Sequence, residues 1–145
     1  MTEEKRALEQ ILTAKKRSGL CIDTIKNSRP LTRELVREQI SQFILIRYFL
    51  DDEDVSGLSF DEIAERSVAK SANVSKDMVK ELDTSVDCMG ASSLTAKKAM
   101  LFRQIEKLLD ITFPAMQTAW VETLDDIGDL VFDELRKKSC CDNAE

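Results

Sequence analysis

The chain has 145 residues, 43% of them hydrophobic and 33% charged, with a formal net charge of −6 and no histidine. That length suits one domain around one core. Only 4 glycines and 2 prolines leave little turn chemistry for hairpins, which disfavours β-rich folds, and the missing histidine removes Ser-His-Asp triads, Cys-His pairs and the Glu-x-x-His motif of di-iron bundles.

Charge is unevenly spread. Residues 1–50 hold 10 Lys/Arg and 6 Asp/Glu, net +4, and residues 51–145 carry net −10. Overall acidity argues against nonspecific nucleic-acid binding across the whole surface, while the basic third can still carry a local patch. The charged start MTEEKRALEQ has no apolar signal region, and no run of about 18 apolar residues follows it. A soluble, cytoplasmic protein without a membrane partner is expected.

Thr2 followed by Glu3 and Glu4 predicts a helix start with carboxylates at the positive end of the dipole. Leu8, Ile11 and Leu12 would form its inner stripe. Ser18-Gly19 interrupts the pattern, and Cys21, Ile22 and Ile25 resume it, which predicts one kinked helix or two short ones ending near Asn27.

The stretch 31–50, LTRELVREQISQFILIRYFL, is the centre of the reading. Thr32 is placed to cap it, with Leu31 and Val36 at staple positions. From Ile40 it is apolar on nearly every side, as expected of a helix inside a bundle. Arg47 is the odd residue there, its guanidinium expected to reach water or a carboxylate.

Further along, Ser59 and Glu62 have capping-box spacing, with Leu58 and Ile63 at staple positions, so a helix starts at Phe60. Ser75 is a second N-cap, opening a helix that closes at 88–90. Ser92 or Ser93 caps the next, with Leu94, Leu101, Ile105, Leu108 and Leu109 inward and Phe102 widening the stripe. Thr112-Phe113-Pro114 stops it and starts a last helix with Met116, Trp120, Leu124, Ile127, Val131 and Leu135 inward. The fold expected is all-α: a single domain over 1–138 of five or six helices around a buried central helix at about 31–50, with a disordered tail at 139–145.

Of the four cysteines, Cys21 and Cys88 read as buried small hydrophobes. Cys140 and Cys141 stand beside Lys137 and Lys138, a frayed tail or activated thiols. No pair has zinc spacing.

Neither a P-loop nor a G-x-G-x-x-G motif is present, so an ordinary enzyme is disfavoured and no cofactor is expected. The composition favours a non-enzymatic regulatory protein that docks on a protein partner or on itself, as a homodimer, through Met116, Trp120, Phe113 and Phe102, since aromatics and Met are favoured at interface cores. An alternative is a helix-turn-helix-like regulator that binds nucleic acid or another anion through Arg29, Arg33 and Arg37. Set against it, Arg33 and Arg37 can be paired with acidic residues of the same chain. A third is a metal-dependent phosphate enzyme on a carboxylate face of Glu122, Asp126, Asp129 and Asp133, which reads equally as a solvated acidic face.

Overall fold

The computed structural model describes residues 3–71 and 94–143, and among them the chain is all-α, without strands. Its helices are α1 (Glu3–Asn27), α2 (Arg33–Arg47), α3 (Phe60–Ser71), α4 (Leu94–Leu109), α5 (Ala115–Ala119) and α6 (Leu124–Asn143). Helix α2 packs against α1 and against α6, α3 packs on α4, and α4 also touches α1. The helix expected to open at Ser75, and Cys88 with it, lie outside the described residues.

Helix α1 runs unbroken for 25 residues through Gly19. Its buried stripe is Ile11, Ala14, Ser18, Cys21, Ile22 and Ile25, at the spacing of three and four that fills one helix face. Leu8 and Leu12, expected to point inward, lie on the flank and are 46% and 57% exposed. Small side chains at 14 and 18 let the backbone approach α2, and Ser18 there has a polar task. Its hydroxyl donates to the Lys15 carbonyl (3.1 Å) and accepts from Arg47 Nε (2.7 Å). Arg47 is therefore held inside the protein, beside the Phe43 ring with its guanidinium carbon 5.1 Å from the centroid, not at the surface. A buried charge persists only where such partners replace water.

Thr32 caps α2 as its spacing implies, accepting the Leu35 N–H at 3.2 Å. Val36, Ile40, Phe43, Ile44 and Ile46 are buried. Glu34 and Glu38 face solvent, so the first half of α2 is amphipathic, whereas from Ile40 to Leu50 Gln42 alone is exposed. The helix also stops three residues short of Leu50. Phe49 has a φ of 59°, the Phe49 N–H donates to the Ile46 carbonyl (3.1 Å) and the Leu50 N–H to that of Leu45 (2.8 Å). That pair of bonds is a Schellman ending, with Phe49 in the left-handed position that glycine usually takes.

The capping box of α3 forms as expected. The Glu62 N–H donates to Ser59 Oγ (3.2 Å) and the Ser59 N–H to Glu62 Oε1 (3.1 Å). Four aromatic rings then tie the end of α2 to α3, α4 and the segment beyond. Tyr48 stacks on Phe60 (6.4 Å), Phe60 meets Phe102 edge-on (5.8 Å), and Phe102 meets Phe113 edge-on (5.7 Å). Each such pair contributes about 0.5–1.5 kcal/mol beyond simple burial.

The last helix expected from Pro114 is two helices. Between them Thr123 and Asp126 form a capping box that the apolar periodicity hides: the Asp126 N–H donates to Thr123 Oγ1 (3.2 Å), and Asp126 Oδ2 accepts the N–H groups of Glu122 and Thr123, both at 3.0 Å. Satisfying those orphan donors starts α6 afresh at Leu124. Residues 139–143, expected as a disordered tail, continue α6 to Asn143. No helix among the described residues is long and apolar enough to cross a membrane.

Candidate functional site

Arg33 and Arg37 stand four apart on α2, and Asp129 and Asp133 stand four apart on α6, so each pair projects from one face of its helix. Where the helices cross, Gly128 presents no side chain, and a Cβ there would lie 2.7 Å from the Arg37 Cα. The backbones consequently come close enough for the two faces to interdigitate. Arg37 takes Asp129 with both arms, Nε to Oδ1 at 2.6 Å and Nη2 to Oδ2 at 2.8 Å. Arg33 bridges Asp129 Oδ1 (2.9 Å) and Asp133 Oδ1 (3.2 Å), and its guanidinium carbon lies 4.8 Å from the centre of the Phe132 ring.

This fork geometry is the strong form of a charge-assisted contact. The hydrogen bonds from Arg37 and Arg33 hold the Asp129 carboxyl below its usual range, and the same bonds raise both arginines above theirs. Arg33 and Arg37 from the anion-binding set and Asp129 and Asp133 from the carboxylate set, which suggest unrelated chemistries in the sequence, are thus halves of one ion-paired seam. Their hydrogen-bonding capacity is spent substantially on each other. Of the remaining carboxylates, Asp126 serves as a helix cap and Glu122 is exposed. Among the described residues no three acidic or thiol side chains converge in a way that could hold a metal ion.

Arg29 is not in the seam. It lies in the connection between α1 and α2, where its Nη1 donates to the carbonyls of Lys26 (3.2 Å) and Ser28 (2.7 Å) at the end of α1.

The four apolar docking candidates divide in two. Phe102 and Phe113 are core residues, 9% and 7% exposed, so they are corrected from surface to interior: the aromatic row described above claims both rings. Met116 and Trp120 are 76% and 77% exposed. Helix α5 has no buried residue at all, because the new start at Leu124 breaks the register that would have carried Met116 and Trp120 onto the inner face of α6. Both ends of the segment are nonetheless fixed, by Phe113 on one side and on the other by Glu122, whose carbonyl accepts the Phe60 N–H at 2.7 Å. A second exposed apolar feature, Leu8, Leu12 and Leu20 (61% exposed) on α1, escapes sequence reasoning, because leucines at helical spacing read equally well as a buried stripe.

Comparison with protein-family models, with curated proteins and with solved structures finds no match for this chain.

Proposed function

We propose that this is a non-enzymatic, cytoplasmic regulatory protein that acts by docking, as a homodimer formed through α5. The observation that carries the reading is the exposure of Met116 and Trp120 on a helix that buries nothing. Tryptophan and methionine are favoured at interface cores, and tryptophan is prominent among the few residues that dominate binding energy. Residues 111–121, ITFPAMQTAWV, contain no charged side chain in a chain that is 33% charged. Two copies can therefore meet there without opposing like charges, which favours a second copy as the partner. The arginine seam supports the same preference: Arg33 and Arg37, the residues an anionic nucleic acid would have to recruit, are already engaged by Asp129 and Asp133.

The test is light scattering across a dilution series, with the emission of the single tryptophan read in parallel. A dimer that dissociates on dilution, with emission moving to longer wavelength, is the expected result. Trp120→Ser should weaken it by at least about 2 kcal/mol, roughly thirtyfold in Kd, without altering the helical circular dichroism. A monomer at every concentration would remove the reading.

A further inference from the structure

Where the C-terminal ends of α1 and α4 meet the second half of α6, a half-open cleft of about 550 Å³ borders the ion-paired seam at Phe132 and shares no residue with α5. That volume is within the range of small-molecule sites, roughly 300–1,000 Å³. Its floor is apolar: Ile25, Leu109 and Phe132 are buried core residues, joined by half-buried Leu31 and Leu135. Its rim is cationic, with Lys26, Arg29, Arg136 and Lys138 against one carboxylate, Asp110. This local excess of positive charge stands out in a chain of net charge −6.

Three of the four rim cations are positioned by contacts. Arg29 is pinned through one nitrogen by the Lys26 and Ser28 carbonyls, and its Nε and Nη2 have no part in those two bonds. The Arg136 guanidinium carbon lies 5.8 Å from the centre of the Phe132 ring, at the junction of floor and rim. Lys138 donates to the Asp110 carbonyl and carboxylate, both at 3.2 Å, which partly offsets its charge. An apolar floor under a guanidinium rim suits an amphiphile: a hydrocarbon chain that displaces water from the floor, ending in an anionic head that the guanidinium groups fork. A nucleic acid would leave the floor unfilled, and a neutral lipid would leave the rim unmatched.

We propose that this cleft binds a free single-chain amphiphile with an anionic head, of the class of a medium-chain carboxylate or alkyl phosphate. The proposal shares no residue with the dimer surface and stands independently of it.

Isothermal titration of the full chain with decanoate and decyl phosphate, each below its micelle concentration, should give saturable binding at one site. Decanol, which lacks the charge, should bind at least about tenfold more weakly, the value of one lost charge-assisted hydrogen bond. Inorganic phosphate, which lacks the chain, should give no saturation. The double variant Arg29→Gln with Arg136→Gln should weaken decanoate by about tenfold or more. Asp110→Asn, which removes the opposing carboxylate while tolerating the same backbone conformation, should tighten it. Thermal unfolding of each variant, followed by circular dichroism, identifies any that fails to fold, and Asp110→Asn reports a gain that misfolding cannot mimic. Equal affinity for decanol and decanoate, unchanged affinity in both rim variants, or no binding of either anionic amphiphile by the folded wild-type chain would each overturn the assignment. So would binding seen only to vesicles of phosphatidylglycerol, which would mean adsorption to a charged surface.

Discussion

Gly128 of α6 lies against Arg37 of α2 so closely that a methyl group on Gly128 would sit 2.7 Å from the Arg37 Cα. The contact is with backbone, which cannot swing aside as the end of a side chain can. The fork of Arg37 on Asp129, the residue after Gly128, sits at this approach.

Gly128→Ala should therefore destabilise the protein. The helices must separate to admit the methyl group, an overpacking cost of about 1–3 kcal/mol, set against about 1 kcal/mol gained in helix propensity. Urea unfolding measures the net loss. Because the nearest atom is Arg37 Cα, shortening that side chain with Arg37→Ala should rescue little. A Gly128→Ala protein more stable than wild type would mean that the two helices do not approach as described.

The opposite sign is expected at the other glycine of the described helices. A Cβ on Gly19 would meet nothing within 4 Å, so Gly19→Ala should raise stability by about 1 kcal/mol, chiefly by removing backbone freedom from the unfolded chain. A higher urea midpoint with an unchanged slope is the signature. A loss of stability would reveal a neighbour against that face of α1.

Asp110 ends α4 in the left-handed region, φ 54°, with the Ile111 N–H donating to the Glu106 carbonyl at 3.0 Å. Glycine adopts that conformation without a Cβ penalty, so Asp110→Gly should stabilise the protein by up to about 1 kcal/mol. The exposed ion pair to Lys138 that it deletes contributes little. Phe49 occupies the same conformation at the end of α2, but its ring packs against the core. Phe49→Gly should consequently lose more in packing than it gains in backbone relief, and comparing the two thermal midpoints separates these effects.

Acid should weaken the seam with a defined sign. The Asp129 carboxyl is held below its usual range by the arginine hydrogen bonds, so its contribution is fully present above the unfolded-state value, about 3.9, and is lost as pH falls through the lower folded value. Urea unfolding of wild type and Asp129→Asn at a series of pH values tests this. Wild type should be the more stable at neutral pH, and the gap should close below about pH 4. A gap that stays constant to the lowest pH would show that the carboxylate charge contributes nothing.

Local features were legible in the residues themselves. Thr32 before α2 and Ser59 with Glu62 at the start of α3 are set by hydrogen bonds spanning three positions, so short-range spacing suffices to find them. The break at Thr123–Asp126 obeys the same rule but was masked by the apolar spacing from Met116 to Leu135, which continues a helical period across a real helix start. That masking is why Trp120 reads as a core residue in one dimension and stands 77% exposed in three.

Sequence alone thus determined the helical class, most of the element starts, and the exclusion of histidine-based chemistry, because propensity, capping and composition are properties of neighbours along the chain. Only the tertiary structure decided that Arg33 and Arg37 would be spent on Asp129 and Asp133, residues about a hundred positions away, and that Lys26, Arg29, Arg136 and Lys138 would share the rim of one apolar cleft. The physical reason is that Coulomb and hydrogen-bond partners are chosen by distance in space, and that distance is set by how the helices pack, at the seam by the close approach that Gly128 permits.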